Sequence, residues 1–149
     1  MNFTPEYIKL CKNEKIQGLK GKGASQCGLD YIYRFEYGDW LITDEEDEPI
    51  PIISMYLNKD GSYDLKCERY KNITWLPTGD QLDDEIEKIC KKEHGIYDFK
   101  YCPNLDIYKA EISLTKSCNF VEAVKHNPLI AKIQLLIKLL GNNNGLYYR

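Results

Sequence analysis

Five carboxylates packed into ITWLPTGDQLDDEIEKIC, at Asp80, Asp83, Asp84, Glu85 and Glu87, are the first residues whose spacing could do chemistry. A pair of acids performs general acid–base work when one is pushed into a desolvated pocket beside the other, so that their proton affinities separate. The spacing here points elsewhere. Leu82, Ile86, Ile89 and Cys90 fall at i, i+4, i+7 and i+8, one apolar stripe of an amphipathic helix, and every acid lies off that stripe. Thr78 and Gln81 match a capping box, each side chain serving the other's orphan backbone N–H. Acids early and Lys88, Lys91 and Lys92 late complement the helix dipole. Asp84 with Lys88, and Glu87 with Lys91, are spaced as i,i+4 ion pairs. The acids therefore form a solvated face, and Asp80, Asp83, Asp84 and Glu87 are candidate contacts for a partner's basic surface rather than catalysts.

A second acidic run, Asp44, Glu45, Glu46, Asp47 and Glu48, precedes Pro49. Adjacent like charges repel and stay hydrated, so this run solubilises the chain or docks against a basic protein. It has no EF-hand spacing, and calcium is not expected. Cys90-x-x-x-His94, with Cys102 further on, lacks the second close pair of a structural zinc site, so no metal and no cofactor is expected. Cys118 with His126-Asn127 has the residue types of a thiol nucleophile, base and orienter, but on a helix and without an oxyanion donor. GLKGKGASQCG holds four glycines yet matches neither phosphate-loop fingerprint. The chain is expected not to be an enzyme.

The elements that would position these residues are legible from period and punctuation. Thr4-Pro5 opens a helix with Tyr7, Ile8 and Cys11 on its apolar face, fading at Gly18. DYIYRFEYGDWLIT alternates as strand around Gly38-Asp39, and TDEEDEPIP is a polar loop. IISMYLNKDGSYDLKCERY is a hairpin about Asp60-Gly61. Ile73 to Leu76 is a strand that Pro77 stops, and His94-Gly95 ends the following helix. IYDFKYC and DIYKAEISL make a second hairpin around Pro103-Asn104. A last helix is expected from Ser117–Asn119, with Glu122 completing an Asn-x-x-Glu cap and Pro128 kinking or restarting it, where Asn127 caps the second piece. Leu129, Ile130, Ile133, Leu136, Ile137 and Leu140 give that helix a face wide enough to cover a sheet. The order predicts one α+β domain of layered helices and antiparallel sheet, with residues 1–28 as helix and arm and 29–149 as core.

With 149 residues, 43% hydrophobic and 29% charged, the chain has the composition of a globular protein. No apolar run is long enough for a membrane span, since Lys132, Gln134 and Lys138 interrupt the longest one. MNFTPEYIKL lacks the layout of a secretion signal, and six cysteines without a C-x-x-C pair fit reduced thiols, which together lead us to expect a cytoplasmic setting. A net charge of −3 argues against direct nucleic-acid binding. Twelve tyrosines suit strand packing or an exposed binding face. The wide last helix and the terminal Tyr-Tyr-Arg could support a homodimer.

TPEYIKLCKNEKIQGL resembles the opening of small accessory proteins of Firmicute phages and prophages. WLPTGDQLDDEI resembles the Trp-Leu-Pro-x-x-x-Gln-Leu element in the middle of those proteins. NFVEAVKHNPLIAKIQLLIKLL, after its aromatic hairpin, is similar to their tail and to the phage α-β-α sandwich domain. The resemblance implies a phage accessory protein in the host cytoplasm and brings no catalytic residues. It also implies a partner class, since such proteins often bind and block a host protein, inhibitors of CRISPR nucleases and other defence systems among them. The partner expected on this basis is a host protein, for instance a basic nuclease groove met by residues 44–48 and 79–92. The alternatives are a protein that sequesters a nucleotide signal, with Arg34, Lys66, Arg69 and Lys71 as its cations, and a phage accessory protein without a defence role.

Overall fold

The computed structural model describes residues 3–20, 38–43, 48–51, 55–57, 63–65, 68–70, 73–115 and 118–141. The glycine-rich stretch, the aromatic run before Gly38, acids 44–47, the turn at 58–62 and the tail after Gly141 lie outside them. The chain forms two compact units, Met1–Pro77 and Thr78–Arg149, with helices and antiparallel sheets in an α+β fold.

In the first unit, α1 (Pro5–Cys11) starts where the sequence places it: the Thr4 hydroxyl accepts from the Tyr7 N–H at 3.2 Å, with Pro5 in the first turn. It does not run on to Gly18. Asn13 interrupts it and caps a separate short helix, α2 (Glu14–Gly18), by accepting from the Lys15 N–H at 2.9 Å. β1 (Trp40–Thr43) pairs on one side with β2 (Ile50–Pro51). On its other side it pairs with β6 (Ile73–Leu76). Ile50–Pro51 is thus an edge strand rather than loop, the one sheet position where a residue without an N–H is tolerated. β3 (Met55–Leu57), β4 (Tyr63–Leu65) and β5 (Glu68–Tyr70) form a second antiparallel sheet, with the first two paired as the expected hairpin.

The packing of this unit turns on Gln17, which is only 4% exposed. Its Nε2 donates to the carbonyls of Cys11 at 2.6 Å and Trp75 at 2.9 Å, while its Oε1 accepts from the Trp75 N–H at 2.8 Å. Both backbone groups of Trp75 therefore meet the amide, on the edge of β6 that faces away from β1. The side chain acts as one residue of an added strand and leaves this buried edge satisfied. Tyr7 donates its hydroxyl to the Pro77 carbonyl at 2.5 Å. The Lys20 ammonium pairs with buried Asp39 at 2.6 Å and lies 5.3 Å from the Trp75 ring centroid.

In the second unit, α3 (Gly79–Glu93) carries the full capping box: Thr78 Oγ1 accepts from the Gln81 N–H, and the Thr78 N–H donates to Gln81 Oε1. Leu82, Ile86 and Cys90 of its apolar stripe are buried and Ile89 is half-buried. The residue that turns the chain out of the helix is His94, at φ 53°. Gly95 has a different task, because a β-carbon there would meet Leu114 Cδ2 at 3.0 Å and the Ser113 carbonyl at 3.1 Å. β7 (Gly95–Cys102) and β8 (Ile107–Leu114) form the second hairpin, joined through Pro103–Asp106.

Asn119–Lys125 overturns the expectation of a helix from residue 117. It is a strand, β9, paired along its whole length with β8. Asn-x-x-Glu favours a helix locally, but Phe120, Val121 and Val124 suit a strand, and the open edge of β8 offers seven backbone pairings. The helix α4 (Pro128–Gly141) begins at the proline, with Asn127 Oδ1 accepting from the Ile130 N–H at 3.1 Å. Of the two outcomes expected at Pro128, a kink or a restart, the structure shows the restart, with Asn127 as the cap. Ile130, Ala131, Ile133, Leu135, Leu136 and Leu139 are buried, each large one contributing at most about 1.5–3 kcal/mol. Helices α3 and α4 pack side by side on one face of the β7–β8–β9 sheet, against Ala110, Ile112, Leu114 and Ala123. On the opposite face, Ile96, Phe120 and Val124 are exposed, and among the described residues no element packs there.

Candidate functional site

The acids of α3 divide into two groups. Asp80, Asp84 and Glu87 are exposed at i, i+4 and i+7, a straight line up the solvent face that spans about 10 Å at the helical rise. Among the described residues none of the three has a hydrogen-bond or ion-pair partner. The Lys88 ammonium reaches Glu85, at i,i+3 and 2.9 Å.

Asp83 belongs to the interior side of the helix. Its two oxygens accept from the Tyr97 hydroxyl at 2.7 Å and from the Lys132 ammonium at 2.9 Å. Lys132 in turn sits 4.5 Å from the Phe99 ring centroid. This cluster joins α3, β7 and α4, and its members close around each other. Burial, and then the carboxylate of Asp83, hold the Tyr97 phenol protonated well above the usual tyrosine range. A phenol in that state is neither a base nor a nucleophile at neutral pH.

Of the other acidic run, Glu48 is exposed at the start of the strand-bearing segment, and residues 44–47 lie outside the described residues. Arg34, Lys66 and Lys71 also lie outside them. Arg69 lies on β5, opposite Asp64 on β4.

The two buried thiols, Cys11 and Cys90, are not activated. Burial pushes Cys90 up to about 11, with the nearby Glu87 carboxylate adding to it, and burial pushes Cys11 up to about 12. Both are protonated at neutral pH and so unable to act as thiolate nucleophiles. Cys118 and His126 flank the two ends of β9 rather than sharing a helix, about 26 Å apart at the rise of a strand. The His126 ring instead meets the Asp106 carbonyl at 2.9 Å. Among the described residues no group of three His, Cys, Asp or Glu side chains is placed to hold a metal ion, and no helix is long and apolar enough to cross a membrane.

One surface escaped the reading of the sequence. The open face of β7–β8–β9 carries four cross-strand rows, fixed by register: Ile96–Ser113–Phe120, then Asp98–Glu111–Glu122, then Lys100–Lys109–Val124, then Cys102–Ile107. An acidic row lies beside a basic one. Ion pairs run between them, from Lys100 to Asp98 and Glu111 and from Lys109 to Glu111 and Glu122, at 3.3–3.5 Å. The only sequence signal for it was the alternation of charged and aromatic residues in IYDFKYC and DIYKAEISL. No protein-family model, curated protein or solved structure matches this chain.

Proposed function

We propose that this chain is a non-enzymatic binding protein that docks through exposed carboxylates on a basic patch of another protein. The partner, on the phage resemblance, is a host defence protein such as an RNA-guided nuclease, met in the host cytoplasm. The observation that carries the reading is the line Asp80, Asp84 and Glu87, exposed on one face of the helix. Like charges in register along one helix create a local field that steers and orients a complementary surface. Asp44, Glu45, Glu46, Asp47 and Glu48 are a second acidic run that could make the same kind of contact, while Asp83 anchors the helix that presents the line. A net charge of −3 favours local docking over imitation of a whole nucleic acid.

The test is phage plating on cells that carry one active defence system each, with and without this protein. Expression should restore plating in one of the strains. Asp80→Lys with Asp84→Lys and Glu87→Lys should abolish the effect, as should lysines at residues 44–48. Restored plating that survives both replacements would exclude docking through these carboxylates. No effect in any strain would remove the defence target, and a nucleotide that raises the melting temperature would favour sequestration of a signal instead.

A further inference from the structure

The geometry points to a second copy of this chain as the occupant of the open β7–β8–β9 face, in a two-fold symmetric, face-to-face dimer. The ground is the order of its rows: apolar, acidic, basic, apolar. A two-fold axis lying in the interface, across the strands and between the acidic and basic rows, turns one sheet over onto the other and reverses that order. Asp98 then faces the partner's Lys100, and Glu111 faces the partner's Lys109. The same operation sets Ile96 and Phe120 over the end that carries the partner's Cys102 and Ile107. An isologous interface requires a patch complementary to itself, and this sequence of rows meets that requirement.

Two further features fit a copy. Ile96 and Phe120 are 66% and 55% exposed, large apolar groups at one end of a charged face. The ion pairs within the face are long, and Asp98, Glu122 and Lys100 are about half exposed, so these carboxylates retain lone pairs for a second ammonium. Sheets stacked face to face lie about 10 Å apart, close enough for lysine and glutamate to interleave. Strands of about 23–26 Å cover a patch about 14 Å wide, roughly 350 Å² in projection on each copy, which puts the interface below stable complexes and among weak, transient ones. The dimer is therefore concentration-dependent and weakened by salt.

Sedimentation equilibrium of the full chain, under reducing conditions, tests this. Dimer should appear by about 1 mM and dissociate several-fold more readily when salt is raised from about 0.05 to 0.5 M. The decisive arm uses two variants, an all-acidic face (Lys100→Glu with Lys109→Glu) and an all-basic face (Asp98→Lys, Glu111→Lys and Glu122→Lys). Neither should self-associate, and an equimolar mixture should form a heterodimer. Phe120→Ser leaves the ion pairs in place and should raise the dimer dissociation constant about tenfold, which tests the same face if a charge variant loses its circular-dichroism spectrum. A chain that stays monomeric at the highest concentration overturns the inference. So does a dimer indifferent to Phe120→Ser, or two folded charge variants that fail to combine.

Discussion

Replacing Gln17 by leucine should destabilise the first unit out of proportion to the size of the change. Leucine keeps nearly the same volume and removes all three hydrogen bonds. It leaves the Trp75 N–H and the carbonyls of Trp75 and Cys11 without partners, next to side chains that are 4% exposed or less. A buried polar group left unpaired costs about 1–3 kcal/mol, so three sum to roughly 3–9 kcal/mol; the apolar surface gained returns about 1 kcal/mol. The net, about 2–8 kcal/mol, is a large part of the stability of a small unit. The assay can be confined to that unit, because both tryptophans of the chain, Trp40 and Trp75, lie in it. Urea unfolding followed by tryptophan fluorescence should show a lower midpoint with an unchanged slope. Gln17→Glu sharpens the test. Its ionised carboxylate can accept from the Trp75 N–H but sets lone pairs against two carbonyls, so its proton is held more tightly folded than unfolded. The stabilising, protonated form is present below the ordinary glutamate range and is lost as pH rises. Gln17→Glu should therefore be well below wild type at pH 7 and recover part of the deficit near pH 4. A cost under about 1 kcal/mol for leucine, or no recovery for glutamate in acid, would refute the idea that this amide completes the edge of β6.

Cys90 makes the stability of the second unit sensitive to alkali. The folded state pushes its thiol from 9.0 to about 11, so the contribution is complete below pH 9 and lost as pH climbs through 11. At about 1.4 kcal/mol per pH unit, roughly 2 kcal/mol disappears by pH 11; Cys90→Ala lacks this dependence, and its deficit in urea melts followed by helical circular dichroism should narrow by that amount. A deficit constant from pH 8 to 11 would contradict this. At the end of α3, His94→Gly should stabilise by up to about 1 kcal/mol, since φ 53° costs glycine nothing, while Gly95→Ala should destabilise by at least about 1–2 kcal/mol against Leu114 and the Ser113 carbonyl. Equal effects of the two changes on the thermal midpoint would show the roles to be misassigned.

Sequence revealed what is decided locally. The caps at Thr4 and Thr78, the stripe Leu82–Ile86–Cys90 and the β7–β8 hairpin rest on neighbours within a few residues, and the α+β class follows from their order. The failures lie where distant partners decide. Asn119–Lys125 has a helical cap motif and strand-forming residues together, and the free edge of β8 settles the contest. Gln17 looks like one more polar helix residue until Trp75, 58 positions away, comes beside it. Asp83 belongs to the same acidic run as Asp84, yet Lys132 and Tyr97 take one and leave the other to solvent.

The same distinction separates the two charged surfaces of the second unit. The line Asp80, Asp84 and Glu87 follows from the helical period alone. The rows on the open sheet face exist only because the turn Pro103–Asp106 sets the register of β7 on β8. Asp106 helps to hold that turn, at φ 50°, with its carboxylate accepting from the Tyr101 hydroxyl at 2.8 Å. A slip of one residue between these strands would place the ionic side chains of one strand opposite the aromatic ones of the other and dissolve the ladder. The surfaces also differ in charge pattern, since the helix line is acidic along three positions and the sheet rows alternate in sign and are paired within the chain. They are separate groups of residues with no shared partner, so their effects should be nearly additive. Reversal of charge on α3 should alter capture of a basic partner and leave self-association alone, whereas an all-acidic sheet face should do the opposite. One replacement that changed both to the same degree would mean that the two surfaces act as one.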